Sequence, residues 1–459
     1  MSRDQGPGGA RPAHDDDDGP EGGGVPSLGL AAGAPPELAR GFLTRDVLPV
    51  AGLARLEPED FVVEEVPLYP FSGSGEHLYV TIEKRGIPTP EAIRRLARVF
   101  GKRDRDVGYA GLKDAHAVTR QTLSFQLVDA ARLEGFSDPQ IKVVAVTRHA
   151  NKLKLGHLAG NRFTIRLRGV SLADEPSVRA VVEQLARDGA PNFFGLQRFG
   201  ARFNSHRLGA ALVRMDAKGF LDELLAPDGA ATPSSGDVSP ANDARREPPR
   251  VREAREAYVR GDFAAAFTAI PHSFQAERAA LGALARSGAD LEGAVRMVPL
   301  RWRRFYASAL QSALFNAYLL RRLDRLDALA AGEVAFLERN GAAFLVTDPA
   351  TDASRVASRE ISASGPLFGA KLLRPLEGTP ARADEDSVLA GAAWAGRALG
   401  AELGDAFGAS PRGERRSLRV LVGEPSVRRD GEDLVLGFLL PKGSYATSVL
   451  EEVLKRPVT

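Results

Sequence analysis

The run Gly108–Gln121 reads Gly-Tyr-Ala-Gly-Leu-Lys-Asp-Ala-His-Ala-Val-Thr-Arg-Gln. Its glycines let the backbone turn tightly and approach a ligand closely. Thr119 and Gln121 stand at alternate positions, as side chains on one face of a strand do. The run therefore predicts a loop that carries Asp114 and leads into a strand. Because a Lys-Asp pair in a loop is most often a solvated turn, the residue types alone leave both a catalytic and a structural reading of Asp114 open.

This loop resembles the catalytic motif of a known enzyme family. Residues 111–121 are similar to the pattern Gly-x-Lys-Asp-x-x-Ala-x-Thr-x-Gln of the TruD family of tRNA pseudouridine synthases. Three other stretches resemble motifs of that family and follow the family order: Phe61–Glu65 (Phe-Val-Val-Glu-Glu), Leu155–Phe163 (Leu-Gly-His-Leu-Ala-Gly-Asn-Arg-Phe) and Pro191–Gly200 (Pro-Asn-Phe-Phe-Gly-Leu-Gln-Arg-Phe-Gly). Four ordered matches are specific, and the similarity extends from about Leu53 to the C terminus.

The resemblance implies an α+β fold. It predicts a pseudouridine-synthase catalytic domain with a mixed, mainly antiparallel sheet flanked by helices, interrupted by an inserted, mostly helical α/β second domain. The expected boundaries are 41–190 and 412–459 for the two parts of the catalytic domain and 191–411 for the insertion. The stretch 1–40 is rich in Gly, Pro and Asp and poor in large apolar residues, which predicts a disordered tail. A similar composition at 228–250 predicts a flexible loop.

Hydrophobic periodicity predicts the individual elements. A helix is expected over Glu91–Phe100, with Thr89 as its N-cap and Pro90 as its first residue. Strands are expected at 61–66, 77–84, 122–127, 141–148, 162–167, 416–422 and 434–440, with a little β structure at 334–345 and 367–373. Further helices are expected at 176–188, 205–215, 304–323 and 446–454, and 251–269 is expected to lie in a helical region.

The resemblance implies that Asp114 is the catalytic nucleophile. Isomerising a uridine breaks the C1′–N1 bond and joins C1′ to C5, so the positive character that develops at C1′ calls for one ionised carboxylate nearby. Attack on C1′ and a glycal route both remain open. A carboxylate in a largely dry pocket needs a cation or hydrogen bonds to stay ionised. The family has a basic residue, commonly Lys, at the position of Arg55, which makes Arg55 the expected cation partner.

The resemblance also implies a set of substrate-binding side chains. The target uridine must leave its stack before C1′ can be reached, and an aromatic ring is then needed to stack on the uracil. Phe163 is expected to supply that ring. Asn161, two positions earlier and so on the same strand face, is expected to hold the loop or the base near the nucleophile. Lys113, Gln121 and Arg198 are also expected to contact the substrate, with structural roles open for each.

Composition excludes several classes of site. The chain has 459 residues, 44% of them hydrophobic, with seven histidines and no cysteine. The lack of cysteine rules out disulfides, thiol nucleophiles and thiolate metal sites and favours a cytoplasmic protein. The histidines are scattered, and no apolar run reaches membrane-spanning length. The resemblance implies tRNA as the partner and a monomeric enzyme, and we expect no metal, no cofactor and no membrane.

The predicted activity is isomerisation of uridine in tRNA, at uridine 13, by base flipping and Asp-dependent C–N cleavage and C–C bond formation. A non-catalytic RNA-binding module on the same fold is the alternative. A glycosidase normally needs two placed carboxylates, whereas Gly108–Gln121 contains only Asp114. A phosphotransferase that uses Asp would need further acidic metal ligands close by, and this run has none.

Overall fold

The computed structural model describes residues 38, 40–227, 247–288, 290–392, 399–456 and 458. Most of the predicted tail and most of the predicted loop at 228–250 therefore lie outside the described residues. Within the predicted tail, Leu38 is described and is buried. At the end of the predicted loop, a helix begins at Pro249.

The described part of the chain contains fifteen β-strands and twelve α-helices. The strands are β1 (Leu53–Ala54), β2 (Phe61–Pro67), β3 (His77–Arg85), β4 (Gly108–Tyr109), β5 (Val118–Gln126), β6 (Ile141–His149), β7 (Leu158–Arg168), β8 (Ala190–Pro191), β9 (Val334–Leu337), β10 (Ala343–Leu345), β11 (Ile361–Leu367), β12 (Glu414–Ser417), β13 (Arg419–Val420), β14 (Gly423–Asp430) and β15 (Asp433–Pro441). The helices are α1 (Thr89–Phe100), α2 (Glu175–Asp188), α3 (Ser205–Val213), α4 (Ala217–Leu225), α5 (Pro249–Val259), α6 (Phe263–Ala269), α7 (Gln275–Ser287), α8 (Leu291–Met297), α9 (Leu300–Arg322), α10 (Pro349–Ala357), α11 (Pro380–Ala390) and α12 (Thr447–Leu454).

Nine strands form the central sheet. Their order is β14-β15-β7-β2-β5-β3-β6, with β1 beside β7 and β4 beside β5. All of these pairings are antiparallel except that of β2 with β5, which is parallel. Since β14 and β15 lie near the C terminus, strands from both ends of the chain complete the sheet. The predicted mixed, mainly antiparallel sheet is confirmed.

Helices pack on the central sheet in two groups. α1 presents Ile93, Leu96 and Phe100 to the apolar side chains of β3 and β5. α2 and α12 pack on β2, β7 and β15, and their core includes Phe163 and Phe438. Each group buries an apolar helix stripe against an apolar half of the sheet, which is the arrangement that stabilises a two-layer α+β domain.

The middle of the chain forms a second, mostly helical body. α9 is its longest helix and is buried along much of its length. It packs against α3, α11 and β11. A four-stranded sheet of order β10-β9-β11-β12 belongs to this body. The short antiparallel pair of β8 and β13 joins the chain segment that precedes this body to the segment that follows it. The boundaries predicted for the inserted domain stay a prediction; β12, which begins at Glu414, pairs with β11 of the middle sheet.

Several elements differ from the sequence prediction. α1 begins at Thr89, not at Pro90, and Thr89 does not cap it, because its hydroxyl is engaged in tertiary hydrogen bonds. The helical region predicted over 251–269 contains two helices, α5 and α6, which are separated at Gly261, whose φ of 77° lies in the left-handed region. The strand predicted at 367–373 lies earlier, at Ile361–Leu367. β14 has no counterpart in the sequence prediction, because none of its residues is buried and it lacks apolar alternation.

Candidate active site

The strand register places one row of side chains across the central sheet. In order through β3, β5, β2, β7 and β15, its members are Lys84, Thr119, Val63, Phe163 and Phe438. Residues directly opposite each other on adjacent strands point to the same face of a sheet. This row therefore extends from the strands covered by α1 to the strands covered by α2 and α12. The loop that joins β4 to β5, and carries Asp114, enters the sheet at this row.

Asp114 forms an ion pair with Arg55. Arg55 Nη2 contacts Asp114 Oδ2, with the arginine side chain 11% exposed and the aspartate 39% exposed. The guanidinium also lies over the ring of Phe61, 4.7 Å from its centroid. Arg55 has a φ of 63°, a conformation that residues other than glycine keep only where contacts hold it. The predicted pair of Arg55 and Asp114 is therefore present in the structure. Its guanidinium is largely buried, whereas its carboxylate is accessible to solvent.

Two further groups position the Asp114 loop. The backbone N–H of His116 donates to Asp114 Oδ1 at 3.1 Å, and a ring nitrogen of His116 lies 3.1 Å from the carbonyl oxygen of Arg55. The fully buried ammonium of Lys84 donates to the carbonyl oxygens of Asp114 at 2.8 Å and Ile87 at 2.6 Å. Burial lowers the pKa of Lys84 to about 8, against the opposing attraction of Asp114.

Sequence reasoning missed Lys84, although its strand carried a signal. In His77–Arg85 the inward positions Leu78, Val80 and Ile82 are apolar, and Lys84 continues the same alternation. A lysine at an inward strand position needs hydrogen-bond acceptors in the core. That requirement identifies Lys84 as a residue with a specific partner.

Lys113 lies in a buried ion pair, not at the surface. Its Nζ is 3.0 Å from Glu65 Oε2, and both side chains are 5% exposed. Its backbone N–H donates to the hydroxyl of Thr89 at 2.9 Å. A side chain held in this way fixes the loop beside Asp114, and the contact of Lys113 with substrate stays a prediction.

Gln121 is also buried and supports the same loop. Its Oε1 accepts a hydrogen bond of 2.8 Å from the hydroxyl of Thr89, which in turn holds the N–H of Lys113. Among the described residues, Gln121 Nε2, Thr119 Oγ1 and Asn161 Oδ1 are buried atoms without a hydrogen-bond partner in the protein. They lie on the face that carries the row, and described protein groups do not use their hydrogen-bonding capacity.

Phe163 lies in the core close to the ion pair. Its ring is 6% exposed and makes an edge contact with Phe61 at 5.9 Å and a tilted contact with Phe438 at 5.5 Å. Phe61 is also the ring beneath Arg55. The register therefore brings Phe163 and its neighbour Asn161 to the site, while the predicted stacking of Phe163 on a uracil stays a prediction.

Arg198 contacts α9 in the middle body. Its Nε lies 3.3 Å from Ser312 Oγ, and its Nη2 donates to Ser308 Oγ. The guanidinium also lies 5.9 Å from the ring centroid of Phe194 and 5.7 Å from that of Phe305. The sequence leaves open a contact of Arg198 with RNA phosphate or a brace at the domain junction, and both stay predictions.

Neither a metal site nor a membrane span is found in the described part of the chain. No three His, Asp or Glu side chains within it come together as metal ligands. None of its helices is both long enough and apolar enough to cross a membrane. The predictions that the protein uses no metal and no cofactor stay predictions.

Comparison with known proteins gives one consistent match. Residues 39–453 match the family described as tRNA pseudouridine synthase D (TruD). The tRNA pseudouridine synthase D of Geobacter sulfurreducens is 45% identical over 416 residues, which cover 91% of this chain and 97% of the relative. The protein of that name from Syntrophotalea carbinolica is 40% identical and covers 91% of this chain and 99% of its own. A crystal structure from Methanosarcina mazei, of a protein assigned as tRNA pseudouridine synthase D, has a TM-score of 0.78 at 27% identity and covers 92% of this chain and 97% of that one.

Proposed function

The chain belongs to the TruD family of tRNA pseudouridine synthases, a family of isomerases, and we propose that its own reaction converts uridine 13 of tRNA to pseudouridine. The reaction breaks the C1′–N1 bond, turns the uracil and forms a C1′–C5 bond. The proton on C5 is then lost and N1 gains a proton, so the product is an isomer of the substrate.

The ion pair of Asp114 with Arg55 is the observation that carries the proposal. The carboxylate is 39% exposed on a loop, whereas the guanidinium behind it is 11% exposed. This arrangement places a carboxylate, paired with a cation, at a position that a sugar carbon can approach from solvent. Attack on C1′ and proton removal in a glycal route both require that anion.

The remaining site residues have assigned roles in this proposal. Asn161 and Phe163 contact the flipped uracil, with Phe163 against the base and the free Oδ1 of Asn161 towards its polar edge. Lys113, Gln121 and Lys84 act through the loop that holds Asp114, since their side chains are buried and bonded to protein groups.

The experiment is pseudouridine mapping on tRNA treated with the wild-type protein, Asp114→Asn and the control Asp106→Asn. Asp106 is a matched control because it is 43% exposed and ion-paired with Arg103 at 2.9 Å. We expect modification at position 13 by the wild type and the control but none by Asp114→Asn, which still binds tRNA.

Other outcomes discriminate between the hypotheses. Turnover by Asp114→Asn would contradict the hypothesis that Asp114 is the nucleophile. Modification at another uridine would support the isomerase activity but contradict uridine 13 as the target. Binding of tRNA by the wild type without any pseudouridine would favour the alternative, a non-catalytic RNA-binding module on the same fold.

A further inference from the structure

Two lysines from distant parts of the chain lie at the same turn, residues 154–157, beside the loop of Asp114. Lys154 precedes β7, and Lys442 follows β15, the strand paired with β7. Both side chains are exposed. Both charges act on His157: burial lowers the pKa of its ring, and the positive charges of Lys154 and Lys442 lower it further. We call Lys154 and Lys442 the lysine rim.

Hydrogen bonds connect the lysine rim to the loop of Asp114. The backbone N–H of Gly156 donates at 2.8 Å to the carbonyl oxygen of Ala110, four residues before Asp114. Lys442 Nζ donates at 3.2 Å to the carbonyl oxygen of Gly156. Three loops of the catalytic sheet are therefore joined at one edge of the site.

No carboxylate among the described residues neutralises the charge of the lysine rim. In the described part of the chain, neither Lys154 nor Lys442 has a carboxylate within ion-pair distance, whereas Asp114 and many surface carboxylates are paired with arginine. Lys442 uses one ammonium proton on Gly156, which leaves two for another acceptor. Neighbouring cations repel each other, and a polyanion that binds both removes that repulsion.

We propose that Lys154 and Lys442 bind phosphates of the RNA strand next to the reacting uridine. The proposal rests on the proposed function, which supplies RNA as the polyanion. Ammonium groups recognise phosphates as point charges without reading base identity. The lysine rim therefore holds the backbone while the uracil turns out towards Asp114.

The test is tRNA binding at several salt concentrations by Lys154→Gln, Lys442→Gln and the double variant. Each lost phosphate contact is expected to reduce the slope of log K against log salt by about 1, and the double variant to bind on the order of tenfold more weakly at moderate salt. The arginine variants Lys154→Arg and Lys442→Arg keep the charge and should restore both quantities. Loss of turnover in the glutamine variants should fall mainly on KM for tRNA.

Lys142→Gln is the matched control. Lys142 is an exposed lysine of the same domain, paired across strands with Glu83 and therefore on the opposite face of the sheet from Lys84. It should leave the affinity and the salt slope unchanged. Wild-type affinity and salt slope in the double glutamine variant would overturn the proposal that the lysine rim binds phosphate. Arginine variants that bind tRNA as weakly as the glutamine variants would also overturn it. Absence of pseudouridine from a wild type that binds tRNA would instead overturn the proposed function and leave the binding test intact.

Discussion

Arg55 contacts Asp114 through its guanidinium while the same group lies on the ring of Phe61, 4.7 Å from the centroid. One side chain thus connects the loop of Asp114 to the aromatic cluster that includes Phe163. A planar cation is suited to this position because it can bond a carboxylate at its edge and stack on a ring with its face. The geometry of the carboxylate therefore depends on the core beneath it.

Removing the charge of Arg55 is expected to impair turnover more than tRNA binding. Arg55→Met should lower kcat by about 100-fold or more, because a carboxylate that reacts in a partly dry site loses its cation. Arg55→Lys should keep more activity, since a lysine retains the charge but not the flat contact with Phe61. Single-turnover rates on tRNA, with binding measured separately, test this order.

Arg103→Met provides the control for that experiment. Arg103 pairs with Asp106, an exposed aspartate outside the site, at 2.9 Å. Exposed pairs of this kind contribute little to stability, so Arg103→Met should retain wild-type rates. Equal losses in the two methionine variants would show that the Arg55 effect is not specific to Asp114.

Lys84 should make stability depend on pH in the alkaline range. Burial lowers its pKa in the folded protein to about 8, whereas the ordinary value of a lysine is 10.5. Between these values the unfolded chain binds a proton that the folded protein does not, so the free energy of unfolding contributed by Lys84 rises with pH. The full difference between these two pKa values corresponds to a change of about 3 kcal/mol in the free energy of unfolding.

Urea unfolding of the wild type and Lys84→Met at pH 8 and pH 10 isolates this contribution. The wild type should gain stability relative to the variant as the pH rises, because only the wild type carries this titrating group. Lys84→Met should also lower kcat by releasing the carbonyl oxygens of Asp114 and Ile87. A stability difference between the wild type and Lys84→Met that does not change with pH would contradict the titration assigned to Lys84.

Much of the site could be predicted from the sequence because strands impose a simple geometry. Asn161 and Phe163 reach the same face because they are two residues apart, and Arg55 pairs with Asp114 as the family pattern implies. The burial of Lys113 could not be predicted, since its partner Glu65 lies on β2 and local sequence does not reveal which strand a loop side chain will contact.

The ion pair of Lys113 and Glu65 should show strong coupling in a double-mutant cycle. Both side chains are 5% exposed, so removing one leaves a buried, unpaired charge. Lys113→Met should destabilise the protein by about 3–5 kcal/mol. The double variant with Glu65→Gln should be less destabilised than the sum of the single variants, because both charges are then absent. Urea unfolding measures the cycle; additive effects would contradict the coupling.

Phe163 can be distinguished from an ordinary core aromatic by comparison with Phe438. The two rings are in contact at 5.5 Å and lie in the same core, and Phe438 is 1% exposed. Phe163→Leu and Phe438→Leu should each lower the free energy of unfolding by about 1–3 kcal/mol, through the loss of packed ring area.

If Phe163 stacks on the flipped uracil, Phe163→Leu should also lower kcat/KM for tRNA by at least tenfold more than Phe438→Leu, because a base–ring stack contributes about 1–3 kcal/mol. Measuring both variants below their melting temperatures separates the two effects, and equal losses of kcat/KM would assign Phe163 to the core alone.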